Sequence, residues 1–371
     1  MLGAGFSTCP LNTPALKKTM KDSESSPSLC NTLIQTEAQL ESRLSEPTDE
    51  VIATVAALEG DILILGVGGK MGPTLAKQAK RAVDAAGVSK RVIGVSRFST
   101  PSVQETLHAD GIETIVADLL SEDCLKNLPD IQNVVLMAGR KFGSTGNEGL
   151  TWAMNGYMPG RVAEKFRSSR LVVFSTGNVY PLTPVSHGGA TESSPVHPVG
   201  EYAQSCLSRE RICTYFSSQF GTPMALLRLN YAIDLRYGIL LDIAEKVYAE
   251  EPISLQMGNV NVIWQGDANT IALRAFAHCQ SPPLVLNVTG PETVSIRSLA
   301  SCFGTLFNKS PHFDGEEAAT ALLSNATRCH QLFGYPRVSL GQMIEWVGKW
   351  VRIGGPTLHK PTHFEVRDGK F

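Results

Sequence analysis

Ile62-Leu63-Ile64-Leu65 is an unbroken apolar run, and Gly66-Val67-Gly68-Gly69-Lys70-Met71-Gly72 follows it directly. A run so short and so apolar suits a strand buried on both faces of a parallel sheet. Pro73-Thr74-Leu75-Ala76-Lys77-Gln78-Ala79-Lys80 then reads as a helix, with Pro73 in the first turn, where its missing N–H costs nothing. Strand, glycine turn and helix is the context in which a glycine motif carries chemistry. The glycines let the backbone turn sharply and approach a pyrophosphate, and the helix start offers that group N–H donors and a positive dipole end. Gly66, Gly69 and Gly72 make G-x-x-G-x-x-G, a poor match to the G-x-G-x-x-G of the common dinucleotide fingerprint.

Strand and helix patterns alternate through the rest of the chain. Further strands read over Arg91–Phe98, Ile112–Asp118, Asn133–Gly139, Leu171–Thr176, Met224–Asn230 and Leu284–Thr289. Helical stretches such as Leu150–Phe166 and Tyr202–Phe216 separate most of them. The alternation predicts an α/β fold with a doubly wound parallel sheet, in which ligands bind at the carboxyl ends of the strands. The expected organisation is a Ser/Thr/Pro-rich arm over residues 1–34, then two short helices split by Pro47, together a lead-in over 1–58. A nucleotide-binding domain over 59–230 follows. Residues 231–371 are expected to be mainly a smaller substrate-binding part, with the strand at 284–289 returning to the sheet.

Charge and cysteine usage narrow the class. The net charge of -2 gives no basic surface for nucleic acid. The eight Cys form no C-x-x-C pair and no zinc spacing, and the His residues show no metal spacing either, so no metal site is expected. No apolar stretch is long enough to span a membrane, and the N-terminus lacks the sustained apolar region of a secretory signal. A cytoplasmic enzyme with reduced thiols is the expectation.

The glycine spacing, followed by Phe174-Ser175-Thr176-Gly177-Asn178-Val179-Tyr180 and Tyr202-Ala203-Gln204-Ser205-Cys206, resembles the extended short-chain dehydrogenase/reductases, in particular the NAD-dependent epimerase/dehydratase family. The likeness spans roughly residues 60–350 and implies a Rossmann-type fold binding NAD or NADP. It implies cofactor contacts from Gly66, Gly69, Lys70, Met71 and Gly72. Ser96 and Arg97 end the second strand, Asp118 and Leu119 the third, and Ala138-Gly139 the fourth; all six belong to the expected cofactor set. No acidic residue lies in Val92–Thr100 to hold ribose hydroxyls, and Arg97 can accommodate a 2′-phosphate, which favours NADP over NAD. Asn155 matches the family Asn near the active site, and Asn230 is a further candidate for cofactor or substrate contact.

The same likeness makes Thr176 and Tyr202 the catalytic pair. Thr176 would hydrogen-bond the substrate oxygen and Tyr202 would exchange its proton during hydride transfer with a sugar, sugar acid or nucleotide-sugar. Cys206 stands where the family has the Lys of Y-x-x-x-K, in the cofactor-binding set. A Tyr with a pKa of about 10 needs help to act as a base near neutrality, and a thiol offers no positive charge. Arg209, seven residues after Tyr202 and on the same helical face, or Lys141 is expected to restore it, with Lys70 and Arg140 at other strand ends. The rival reading is a cofactor-binding sensor or scaffold without turnover. A dehydratase is disfavoured, because Gly177-Asn178 rather than an acidic residue follows Thr176. The family often dimerises through a four-helix face, which Leu150–Phe166 and Tyr202–Phe216 could supply.

Overall fold

The structure is a computed structural model that describes residues 33–360 and 362–370. The arm read over residues 1–34 falls almost wholly outside them. Seven strands form one sheet: β1 Ile62–Leu65, β2 Val92–Ser96, β3 Glu113–Val116, β4 Asn133–Leu136, β5 Arg170–Thr176, β6 Met224–Leu229 and β7 Leu284–Val288. Their order is β7-β6-β5-β4-β1-β2-β3, and every neighbouring pair is parallel. The fold is therefore the Rossmann-type doubly wound sheet. The order reverses between β1 and β4, and the crevice above such a reversal is where these sheets hold ligands.

All four residues of β1 are fully buried, as its composition demands. Ile62 and Ile64 enter the apolar layer on one face of the sheet, Leu63 and Leu65 the layer on the other. β3 differs: it is an edge strand, and Val116 is largely exposed. Three expected strands end two or three residues early. Past Leu136 the chain bends, and the N–H groups of Met137 and Ala138 both donate to Leu65 O at 3.0 Å. The ends of β2 and β3 also turn out of the sheet, giving Val92–Ser96 and Glu113–Val116.

Helices α1 Glu37–Leu44 and α2 Asp49–Ala57 flank Pro47. Thr36 and Thr48 cap them with side-chain acceptors, and Gln39 completes a capping box in α1. α3 Gly72–Ala85 carries Pro at its start. Then come α4 Pro101–Ala109, α5 Glu122–Lys126, α6 Glu148–Trp152, α7 Met158–Lys165, α8 Gly200–Phe220, α9 Ile239–Ala249 and α10 Gln265–Arg274.

The single helix expected over Leu150–Phe166 is interrupted. Ala153–Tyr157 forms a π-helical turn between α6 and α7. Pro159 supplies a reason: it has no N–H for the Asn155 carbonyl that an α-helix would pair it with. Arg209 Nε, from α8, donates to that carbonyl at 3.2 Å instead. Beyond β6, α9 packs with the helices Ile296–Phe307 and Leu340–Arg352. No helix among the described residues is long and apolar enough to cross a membrane.

A buried polar chain ties α8 to three strands. Ser175 Oγ donates to Glu210 Oε1 at 2.6 Å, and Arg228 holds both oxygens of Glu210, with Nη2···Oε2 at 2.6 Å. Arg228 also donates to the Tyr180 hydroxyl at 2.6 Å, which donates to Asn287 Oδ1 at 2.8 Å. The Arg228 and Glu210 side chains are 8% and 5% exposed. Removing one partner would leave an uncompensated buried charge, so Arg228→Met is expected to destabilise the protein by about 3–5 kcal/mol. Urea unfolding measures this; a loss below about 1 kcal/mol would show that the pair carries little stability.

Candidate active site

The glycine turn after β1 is built by close approach. Gly66 has φ +93°, and a Cβ there would lie 2.6 Å from the Ala138 backbone N. At Gly72 a Cβ would lie 2.2 Å from Val67 O. Residues 66–72 can therefore pass tightly between the ends of β1 and β4 only with glycine at these two positions. Met71, the residue before α3, offers no side-chain cap, so no capping side chain competes for the first N–H groups of the helix. That leaves them for a phosphate, and the turn fits a dinucleotide.

At the far end of this crevice Ser96 closes β2 and Arg97 is exposed. Asp118 accepts from Leu120 N at 3.0 Å, and Leu119 is buried. These four residues stand apart from the cavities described next, none of whose walls they join.

Two cavities meet over the carboxyl ends of β1, β4, β5 and β6. One, of about 250 Å³, is walled by Gly66, Gly69, Gly139, Asn155, Cys206 and Arg209 among others. The other, of about 170 Å³, is walled by Thr176, Asn178, Asn230, Tyr231, Tyr237 and Thr362 among others. Lys70, Met71, Lys141, Ser175, Tyr202 and Leu229 belong to both walls. Asn230 is itself buried, with its Nδ2 donating to Leu322 O at 3.4 Å.

Thr176 and Tyr202 come together at the junction. Thr176 caps the short turn after β5, its Oγ1 accepting from Asn178 N at 3.2 Å and Asn178 Nδ2 at 3.1 Å. Its hydroxyl also hydrogen-bonds the Tyr202 phenol, and Cys206, one turn further along α8, bonds that phenol as well. Burial raises the Tyr202 pKa above the usual tyrosine value; the Thr176 hydrogen bond and the Arg209 charge act in the opposite direction. Burial likewise raises the Cys206 pKa, which keeps the thiol neutral near pH 7. In this state Tyr202 holds its proton.

Arg209 is buried and fixed. Nη1 donates to Phe174 O at 2.6 Å, Nη2 to Asn155 Oδ1 at 2.9 Å and Nε to Asn155 O. It fills the space above Gly139, where a Cβ would lie 2.6 Å from Nη2. Asn155 spends its whole amide inside the protein: Nδ2 on Arg140 O and Ser205 Oγ, Oδ1 on Arg140 N and Arg209. It braces the loop after β4 rather than offering a free amide to a cofactor. Lys141, on that loop, has its Nζ 6.0 Å from the Tyr202 ring centroid.

Residues 62–233 match the sequence model of the NAD dependent epimerase/dehydratase family. The match covers just under half of the chain, and over those residues the chain is similar to that family. The fold as a whole resembles solved structures of nucleotide-sugar epimerases. UDP-glucuronic acid 4-epimerase from Bacillus cereus, in complex with UDP-glucuronic acid and NAD, is similar at 19% identity and a TM-score of 0.65, over 79% of this chain and 99% of that one. UDP-glucose 4-epimerase from Thermus thermophilus, in complex with NAD, is similar at 17% identity and a TM-score of 0.64, over 79% and 99%. That of Thermotoga maritima, with UDP-glucose, gives 16% and 0.64, over 79% and 98%. At these identities the likeness is one of fold. No curated protein sequence matches the chain.

The family motif does not mark Tyr237 or Thr362. Tyr231 takes φ 47° at the turn after β6, and Thr362 donates to Asp242 Oδ2 through both its N and its Oγ1. Tyr237 and Thr362 have no spacing that sequence reasoning could use. At the turn itself, Gly66→Val is expected to abolish NADH binding and to destabilise the protein by a few kcal/mol, since the clash is with backbone. Fluorescence titration with NADH and urea unfolding read both; unchanged binding would place the cofactor elsewhere.

Proposed function

We propose that the protein is an NAD(P)-dependent oxidoreductase or epimerase that moves a hydride to and from a secondary alcohol carbon of a sugar, sugar acid or nucleotide-sugar. The observation that carries this reading is the meeting of Thr176 and Tyr202 where the crevice of the glycine turn opens into the smaller cavity. A bound nicotinamide would supply the hydride acceptor and donor. The first turn of α3 would hold its pyrophosphate, and Gly139 and Leu229 would flank the path toward Tyr202.

The chain's own groups define the proton chemistry. Thr176 orients the substrate oxygen. Tyr202, neutral through the physiological range, donates its proton to that oxygen as a carbonyl is reduced. In the opposite direction the phenol must lose its proton. Arg209 supplies the permanent charge that favours this, in place of the lysine that Cys206 replaces. A carboxylate acid of the dehydratase type has no counterpart beside Thr176, where Gly177 and Asn178 follow.

Arg97 is exposed at the end of β2, with Ser96 before it and no carboxylate alongside in Val92–Thr100. This supports acceptance of NADP as well as NAD. The helices of α6–α7 and α8 expose Trp152, Tyr157 and Tyr215, which supports a homodimer through this face.

Tyr202→Phe is expected to lower kcat by about 10²–10⁴-fold while NADH affinity changes little. In the wild type, carbonyl reduction should be flat with pH through neutrality and alcohol oxidation should rise with pH, because burial holds the phenol protonated. Rates and NADH titrations on both proteins test this. Equal activity of wild type and Tyr202→Phe would remove Tyr202 from the chemistry. Tight NADH binding with no hydride transfer to any sugar would leave the sensor reading.

A further inference from the structure

Two lysines enter the smaller cavity from different strand ends, and no Asp or Glu stands in its described wall. Lys70 comes from the glycine turn after β1. Its Nζ donates to Ala232 O at 3.0 Å and lies 3.9 Å from the Tyr237 ring centroid. Lys141 comes from the loop after β4, beside Tyr202. The adjacency of β1 and β4 brings both to the place where the reacting carbon of a substrate must lie.

The carboxylates nearest in effect are committed to other donors. Asp234 accepts from Arg236 N at 2.6 Å and pairs with its guanidinium at 3.3 Å. Asp242 accepts from Thr362. The groups whose charge reaches Lys70 include Asp234, Arg236, Lys141 and Asp242; those that reach Lys141 include Cys206 and Asp242. Burial pushes both ammonium groups down to about 8, and the charge of Lys141 adds to the strain on Lys70. An anion between them would offset both effects.

We propose that this cavity selects a sugar bearing an acidic group on its reacting ring, with Lys70 and Lys141 together binding the anionic oxygens. The proposal rests on the hydride-transfer reading of the cleft. A cavity of about 170 Å³ is small beside the ~300 Å³ at which ligand pockets begin, so it suits one sugar ring rather than a whole nucleotide-sugar. Thr176, Tyr202, Tyr231 and Tyr237, each bearing a hydroxyl, also stand in its wall.

The test compares dissociation constants for matched pairs, galacturonate against galactose and UDP-glucuronate against UDP-glucose, with UDP alone as the phosphate control. The protein carries bound NADH, whose own titration is recorded first. The acid of each pair is expected to bind at least about tenfold tighter, the worth of one charge-assisted hydrogen bond. Lys70→Met and Lys141→Met should each bring that ratio toward one, and Lys→Arg at either position should keep part of it. Raising the pH above about 8 should erode the preference in the wild type, since the ammonium groups lose their protons while the sugar acid stays charged. A wild-type ratio near one, or one untouched by both Met variants, overturns the proposal and leaves the hydride-transfer reading standing. If the Met variants lose UDP itself as strongly as UDP-glucuronate, the lysines hold a diphosphate and the proposal falls. A wild type that binds no NADH overturns the proposal together with the reading beneath it.

Discussion

Everything above the sheet depends on how closely the chain passes between the ends of β1 and β4. Gly66, at φ +93°, lies against the backbone of Ala138, and Gly72 lies against Val67 O. These contacts bring the start of α3 to the crevice where the strand order reverses. They also carry Lys70 and Lys141 to the same side of the molecule as the ends of β5 and β6. A side chain at either glycine would meet main-chain atoms, which cannot step aside as a flexible side chain can.

The second constraint is the brace beneath Tyr202. A helix interrupted by Pro159 leaves the Asn155 carbonyl to Arg209, and the Asn155 amide ties Arg209 to the loop after β4. The guanidinium cannot lose its charge in a protein. With Cys206 rather than a lysine one turn beyond Tyr202, the charge that lowers the Tyr202 pKa comes from Arg209, two turns along α8 from the phenol. Burial outweighs that charge and keeps the phenol protonated, which suits Tyr202 to donating a proton more than to accepting one.

The parts of the fold that were legible in the sequence share a cause. β1 is apolar on both faces because both faces are covered, so four consecutive residues announced it. The turn glycines were legible because backbone geometry leaves no alternative. That Thr176 and Tyr202 would stand in one cavity wall was legible through their spacing to Val179-Tyr180 and Ser205, which the turn after β5 and the pitch of α8 impose. The π turn was not, because Asn155 and Gly156 sit in an otherwise helical pattern and only Pro159 hints at the break. Nor was the use of Asn155 as a brace: an amide that serves a ligand and one that serves the protein look alike in a sequence. The cavity residues Tyr237 and Thr362 come from a loop and the tail, where contact across the chain, not local period, decides position.

The proposed function rests on passage of a hydride between a nicotinamide and a sugar carbon in this cleft. Single-turnover mixing of the NAD-loaded protein with a sugar substrate deuterated at the reacting carbon, read by the absorbance of reduced nicotinamide, tests it most directly. Reduced nicotinamide is expected to appear in the first turnover, and deuterium to slow its appearance. Product formed with no reduced nicotinamide and no isotope effect at any stage would contradict it.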